Sequence, residues 1–321
     1  MSMADVGCAG ILVADMFCGP MKQLPATGQL TVLNAFPTRL GGCAGNVAVG
    51  LAKQQISVDV VGCVGADAQA QVIVKAMQAA MIGCDQIATV ADEPTSQTVI
   101  LLVEGEDRRF IHVFGANKRF SIGQIHRNWV RSLKVFYLGG LFVLPGIDMD
   151  ELIDLLRFCR QHQVTTVVDV VVPERFEPDN TTLQNVLGHV DYFLPNDDEA
   201  EHLTGQTDPD QQIRTFQAWG VGTVIITRGQ DGLTAGGAGK LWRCGVYPTE
   251  VVDPTGGGDA FAAGVITAAV GNWPMPKLLA YASALGASCT RKVGCTDGVL
   301  TRRETESFCR SHELAIGSED L

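Results

Sequence analysis

The chain has 321 residues, 46% hydrophobic and 18% charged, which is enough apolar content for a substantial core and excludes a disordered polyelectrolyte. Its formal net charge of −11 excludes a broad basic face, and with it a general nucleic-acid or anionic-membrane partner. The opening Met1-Ser2-Met3-Ala4-Asp5 carries no basic segment, and no uncharged apolar run reaches the roughly 18 residues that span a bilayer, so a cytoplasmic protein is expected. Ten cysteines occur without a Cys-x-x-Cys pair, and most lie in apolar runs, as Cys8, Cys63, Cys159 and Cys289 do; buried free thiols are expected. Six histidines show no metal-binding spacing, which argues against a dedicated zinc site.

In chain order, residues 6–14 form a continuous apolar run of the kind covered on both faces of a parallel sheet, and Asp15 is expected to end it. Asp15 reads equally as a turn residue or as a ligand group at the carboxyl end of a first strand. Leu30, Val32 and Phe36, spaced among polar residues, predict one or two short exposed strands within 28–38. Gly41 and Gly42 then open a small-residue helix in which Asn46 can donate and accept hydrogen bonds; close helix packing or close approach of a ligand would each use such residues. Strands at 57–64 and 86–90 flank a helix at 68–81, the alternation of a parallel sheet. The rhythm breaks at 98–103 and 109–114, two β-rich runs joined by Glu104-Gly105-Glu106-Asp107, which predict an antiparallel hairpin and, with 28–38, a small separate sheet.

Alternation returns with a strand at 135–138, an amphipathic helix at 148–162 and a β-branched strand at 164–172 interrupted by Asp169. A short strand at 191–195 leads to Asn196-Asp197-Asp198-Glu199, which suits a helix cap and an acidic first turn. A strand at 222–227 is followed by the glycine turn of Gly229 and Gly232, then by edge strands at 233–235 and 240–246. A helix at 277–291 presents Ala282, Ser283, Gly286 and Ala287, small residues that suit either a flat base or tight helix packing.

The chemistry concentrates at 251–271. The β-branched Val251 and Val252 read as a strand-like entry to a turn at Asp253-Pro254-Thr255, and Gly256-Gly257-Gly258 opens a helix that runs to Val270 and stops at Gly271. The first amides of such a helix lack intrahelical partners, glycine lets a ligand reach them, and an anion is the natural guest. Asp259 stands at the mouth, placed to accept a proton from a hydroxyl. A base beside an anion pocket suits phosphoryl transfer to an alcohol. A plain strand-to-helix connector is the alternative, although glycines cost a helix roughly 0.5–1 kcal/mol each relative to alanine.

The run from Asp253 to Asp259 resembles the C-terminal signature of the ribokinase-like (PfkB) carbohydrate kinases, Asp-Thr-Thr-Gly-Ala-Gly-Asp, from which Pro254 and Gly257 depart. Gly41, Gly42 and Asn46 match the family's N-terminal Gly-Gly-x-x-x-Asn, at the family's separation of roughly two hundred residues. The resemblance implies an α/β chain with the three-layer α/β/α ribokinase-like fold, a mostly parallel central sheet, and a small β-sheet lid inserted at about 15–38 and 97–115 of a single domain, 1–321. It implies ATP as donor, Mg²⁺ as metal and a sugar or related polyol as acceptor. Asp259 would be the base and the amides of Gly256, Gly257 and Gly258 the anion hole, while Asp15, Gly41, Gly42, Asn46 and Asn117 would bind the sugar. Asn196 and Glu199 would position Mg²⁺ and phosphates through waters, Thr227, Gly229 and Gly232 would form the nucleotide loop, and Ser283 would stand at the adenine where many members carry asparagine. A monovalent cation such as K⁺ would sit near Asp253, Thr255 and the loop at Gly294. A nucleoside kinase of the same fold is the near alternative, with Phe110 and Phe114 for stacking, and a catalytically silent ligand-binding regulator is the more distant one. A phosphorylated acceptor would need Arg109, Lys118 and Arg119. Val32, Phe36, Ile100 and Leu102 predict an apolar lid face and a homodimer joined through it.

Overall fold

Runs of valine, isoleucine and small residues without polar alternation are stable only where both faces of a strand are covered, and the chain builds such a sheet. The computed structural model describes residues 4–106, 108–173 and 179–321. The first half contains β1 (Val6–Gly10), β2 (Val13–Met21), β3 (Thr38–Gly41), α1 (Cys43–Lys53), β4 (Val58–Gly65), α2 (Ala68–Ala79), β5 (Gly83–Val90), β6 (Gln97–Val103), β7 (Arg109–Val113), α3 (Arg127–Val130), β8 (Val135–Leu141) and α4 (Met149–Gln161). The second contains β9 (Thr165–Val170), α5 (Asn180–Leu187), β10 (Tyr192–Phe193), α6 (Asp197–Thr204), α7 (Pro209–Ala218), β11 (Thr223–Thr227), β12 (Leu233–Gly237), β13 (Lys240–Cys244), α8 (Gly257–Val270), α9 (Met275–Cys289), α10 (Arg302–Ser311) and β14 (Ile316–Asp320).

Among the described residues the large sheet has the order β14-β13-β12-β11-β10-β9-β8-β1-β4-β5. Pairing is parallel from β5 across to β11 and antiparallel from β11 to β14. One face is covered by α4 to α7, whose buried residues include Leu152, Leu156, Val186, Leu203 and Phe216. The other is covered by α1, α2, α8 and α9 through Val47, Leu51, Ile73, Val265, Ile266 and Leu279. The three-layer architecture expected from the sequence is therefore present. Helix α8 is buried from Ala260 to Ala268, which explains its small residues: a Cβ on Gly264 would run into Ala282 of α9, and one on Gly50 of α1 would press on Ala263.

The chain leaves β1 towards β4 and β5, then returns to β8 on the other side and continues outward through β9, β10 and β11. The direction of winding thus reverses between β1 and β8, and the crevice at their carboxyl ends is where open α/β sheets place ligands. A second sheet, ordered β3-β2-β6-β7, lies beside it.

Several local expectations are corrected. The apolar run at 6–14 is two strands, split at Ile11 and Leu12, and Asp15 lies within β2 rather than ending β1. Residues 28–37 form no strand; Leu30 and Val32 are 87% and 81% exposed, and the small sheet takes β2 and β3 from either side of that segment. Ile100 is buried against Phe17 and Cys295, so the exposed apolar surface of the small sheet belongs to Phe110, Ile111 and Val113 instead. Val251 and Val252 are exposed and not in a strand; the amides of Val252 and Asp253 both donate to Thr290 O, which holds the segment against the end of α9. The edge strand β14 lies beyond any segment the sequence pattern marks.

Candidate active site

Helix α8 begins at Gly256, whose φ of +79° is open to glycine at little cost and where a Cβ would collide with the carbonyl of Cys295. Gly257 N–H donates to Pro254 O at 3.2 Å, whereas the amides of Gly256, Gly258 and Asp259 find no acceptor among the described residues. Nothing lies within 4 Å of a Cβ built on Gly258. These are the unpaired donors of a helix N-terminus facing open space, the arrangement that receives an anion. Gly257, expected with its neighbours in the anion hole, has its amide turned to the Pro254 carbonyl.

Asp259 lies in the first turn of α8, and its Oδ2 accepts from Asn46 Nδ2 at 2.8 Å, which joins the two signatures across 213 residues. Helix α1 carries Asn46 because Gly42, at φ +83°, turns the chain sharply after β3, and Asn46 N–H closes the first turn on Gly42 O at 2.9 Å. Asn46 is only 4% exposed, and its Oδ1 has no partner. Cys43, Asp169 and Asp259 meet beside it, with one donor atom from each within 4.8 Å of the others. Burial raises the pKa of Asp259 above the usual carboxylate range, partly offset by hydrogen bonds from Asn46 and Cys43. Asp169 is held well above that range by burial and by the nearby charges of Glu199 and Asp259, although Tyr137 Oη donates to it at 3.1 Å.

Asn196 and Glu199 form a reciprocal capping box: Glu199 N–H donates to Asn196 Oδ1 at 2.8 Å, and Asn196 N–H to Glu199 Oε2 at 2.9 Å. Burial pushes Glu199 up to about 7, against hydrogen bonds from the Asn196 and Val172 amides. No salt bridge to Asp169, Glu199 or Asp259 occurs among the described residues. Asn196 pairs with Thr227 in an isolated bridge, which brings the nucleotide-loop candidate alongside. Beyond Thr227 the chain turns through Gly229 (φ +53°) and Gly232 (φ +81°), where a Cβ would strike Cys244 O.

On the small sheet, Asp15 is 6% exposed and burial pushes its pKa up to about 6, against hydrogen bonds from Cys295 and Thr98 and aided by the charge of Asp259. A Cβ on Gly41 would collide with the Asp15 carboxylate, so the glycine is needed there. Asn117 is placed differently from the expectation. Its carboxamide is fully buried, accepting from Leu12 N–H at 3.3 Å and donating to Leu12 O at 3.0 Å, and so clamps the link between β1 and β2. Ser283 is only partly buried on α9, and the adjoining cavity of about 410 Å³, between 247–252, α9 and α10, is walled by Ala284, Ala287 and Ser288 rather than by Ser283.

Asp253 is 2% exposed, with Oδ1 accepting from Thr255 N–H and Oγ1 at 2.9 and 2.5 Å and Oδ2 from Gly294 N–H at 3.0 Å; among the described residues no cationic side chain pairs with it. The three cations expected to serve a phosphorylated acceptor are paired elsewhere: Arg109 with Glu106, Lys118 with Glu93 at 3.6 Å and Arg119 with Asp92 at 2.6 Å. Sequence reasoning missed Cys43 and Cys295 altogether and gave Asp169 no role beyond interrupting a strand. The interruption of a β-branched run by Asp169 was the signal for it.

Comparisons with known proteins bear on the family and the fold. Residues 3–302 match the pfkB family carbohydrate kinase model. The chain is similar to the ribokinase of Bacillus subtilis, 24% identical over 95% of this chain and 99% of that one, and to the 5-dehydro-2-deoxygluconokinase of Geobacillus kaustophilus, 23% identical over 86% of each. Among solved structures it superposes on Arabidopsis thaliana ribokinase complexed with ribose and ATP with a TM-score of 0.81, 24% identity and coverage of 95% and 98%. The chain belongs to the PfkB family of carbohydrate kinases, phosphotransferases acting on a sugar hydroxyl.

Proposed function

We propose that the chain transfers the γ-phosphoryl group of ATP to a hydroxyl of a neutral carbohydrate, with Asp259 as general base. The observation that carries this reading is the placing of Asp259 in the same helix turn as the unpaired amides of Gly256 and Gly258, with Asn46 held on its carboxylate. The acceptor's hydroxyl proton passes to Asp259 as its oxygen bonds to the γ-phosphorus, and the bond from that phosphorus to the bridging oxygen breaks to release ADP. The amides and the helix N-terminus offset charge on the transferring group.

Asp15 and the unpartnered Oδ1 of Asn46 supply acceptors for sugar hydroxyls, and Gly41 and Gly42 leave room for the ring. Glu199 and Asp169 suit Mg²⁺ held through waters, because both are carboxylates raised by burial without a cationic partner among the described residues. When bound, the metal offsets phosphate charge. The buried Asp253 carboxylate, bonded only to neutral donors, likewise suits a neighbouring K⁺. The nucleotide runs past Thr227, Gly229 and Gly232, with its base against α9 near Ser283 and the adjoining cavity.

The acceptor is neutral because its pocket is rich in carboxylates: Asp15 and Asp259 repel one another, and Arg109, Lys118 and Arg119 are already matched by acids. A phosphate or carboxylate on the sugar would meet repulsion from these carboxylates. We further place a homodimer at the small sheet, whose edge strand β7 exposes Phe110, Ile111 and Val113. Light scattering that shows only monomer at micromolar concentration removes it. ADP release measured over neutral sugars, sugar acids, sugar phosphates and nucleosides tests the acceptor; the highest kcat/KM is expected on a neutral sugar. Preference for a sugar phosphate or sugar acid overturns the acceptor class, and activity on nucleosides alone overturns the carbohydrate reading of this site.

A further inference from the structure

The crevice sets a thiol, which phosphoryl transfer does not call for, beside two carboxylates that it uses. Cys43, Asp169 and Asp259 each offer one ligand atom, and the three atoms lie within 4.8 Å of one another. Zinc bonds of about 2.3 Å to sulfur and 2.0–2.2 Å to oxygen set the donors of a tetrahedral site about 3.4–3.6 Å apart, so the three side chains must draw together by at most about 1.4 Å to close on an ion. A second, independent observation points to a guest. Asn46 is 4% exposed, its Nδ2 is fixed on Asp259 Oδ2, and the Oδ1 of the same carboxamide is buried without a donor among the described residues.

The backbone holds the thiol in place. Cys43 is the first residue of α1, following Gly42 at φ +83°, and its Cβ lies over Gly139 at the end of β8, where a side chain on that glycine would strike it. Charge favours a cation, since Asp169, Glu199 and Asp259 share the crevice and no salt bridge reaches any of them among the described residues. Ligand softness then selects which cation. A thiolate with two carboxylates and a carboxamide oxygen is a four-donor set suited to Zn²⁺ or Cd²⁺, whereas Mg²⁺ takes oxygen ligands in octahedral geometry.

We propose that Cys43, Asp169 and Asp259, with Asn46 as fourth ligand, bind a thiophilic divalent ion that inhibits the kinase by occupying its proton acceptor. The ion displaces the thiol proton to solvent and ties up the Asp259 carboxylate. Binding itself stands independently of the proposed function; only the inhibitory consequence rests on Asp259 being the base.

The metal-free full chain is titrated with Cd²⁺ while thiolate-to-metal charge-transfer absorption is followed, and with Zn²⁺ by calorimetry. One tight equivalent per chain is expected, and Cys43→Ser should weaken it by at least about tenfold because a hydroxyl is a poor ligand for a soft ion. Asp169→Asn should keep the charge-transfer band yet also weaken binding. The wild-type chain gives a test that needs no variant: Zn²⁺ should slow alkylation of Cys43 by iodoacetamide, read by peptide mass spectrometry, without slowing it at Cys84 or Cys309, which are also partly exposed. Equal Cys43 alkylation with and without Zn²⁺, or unchanged affinity in both variants, overturns the site. Cys43-dependent binding that leaves turnover unchanged overturns the inhibitory role and counts separately against Asp259 as base.

Discussion

Replacing Asp259 by asparagine removes the proton acceptor and keeps the side chain's size, and the residue's surroundings determine what each part of that change does. Asn46 Nδ2 donates to Asp259 Oδ2 at 2.8 Å, a bond that an asparagine Oδ1 can still accept, so Asn46 and the start of α1 stay in place. The amides of Gly256 and Gly258 are untouched, and KM for ATP should change little. Loss of general-base assistance, worth about 10²–10⁴ in rate, should lower turnover at least about a hundredfold. Stability is the discriminating measurement. An anionic side chain in the first turn of a helix is worth about 0.3–1 kcal/mol, and a residue serving only that end would lower Tm by up to about 2–4 °C when neutralised. Burial, however, raises the pKa of Asp259, so its ionised form is held against a desolvation cost that asparagine relieves. Turnover by coupled ADP release should therefore collapse while the thermal midpoint holds or rises. Near-wild-type turnover with a lowered midpoint would refute the assignment.

A methyl group at Gly41 has nowhere to go but into the Asp15 carboxylate, so Gly41→Ala should raise KM for the sugar by the roughly 5–150-fold that about 1–3 kcal/mol of overpacking represents, with KM for ATP nearly unchanged; an unaltered sugar KM removes Asp15 from the acceptor site. Glu199 and Asp15 are held at about 7 and about 6, above their unfolded values near 4, so the native chain binds more protons than the unfolded one, and thermal stability should fall as pH rises from about 4 to about 7. Turnover with MgATP should rise over the upper part of the same window as Glu199 ionises; parallel changes in stability and turnover would contradict this. K⁺ should raise turnover several-fold over tetramethylammonium at equal ionic strength, and Asp253→Asn should abolish the difference; equal rates in both salts would sink the cation site.

What could be read from the sequence was what a few adjacent residues determine by themselves. The glycines at 41–42 and 256–258 announce helix starts, Asn196 with Glu199 announces a cap, and alternating strand and helix patterns announce the parallel sheet; each appears in the structure where expected. Contacts across long separations could not be read. Residues 6–14 look like one strand because Leu12 is apolar, yet Asn117, more than a hundred positions later, binds the Leu12 backbone and fixes the break that sends β2 into the small sheet. Leu30, Val32 and Phe36 imitate a strand pattern without any partner to complete a ladder. Val251 and Val252 have the residue type of a strand, but Thr290 O takes the Val252 amide in place of a sheet neighbour. Cys43 and Asp169 carry no motif by which their approach to Asp259 could be seen in advance.

The same long-range assembly underlies the proposed discrimination by charge. Asp15 arrives on the small sheet, Asp169 on β9, Glu199 on α6 and Asp259 on α8, and among the described residues no salt bridge neutralises any of them. Backbone amides at one helix end are a small counterweight to a polyphosphate set beside four acids, so tight binding of the donor requires a cation that is not part of the chain. A nucleotide arriving with Mg²⁺ would satisfy that requirement, and Glu199 and Asp169 are the carboxylates that would hold the ion through waters. The acceptor brings no cation of its own. On the proposed reading an uncharged polyol sits between Asp15 and Asp259 and donates hydroxyl hydrogen bonds to both, so that the acidity of the crevice would filter the acceptor as well as supply the base.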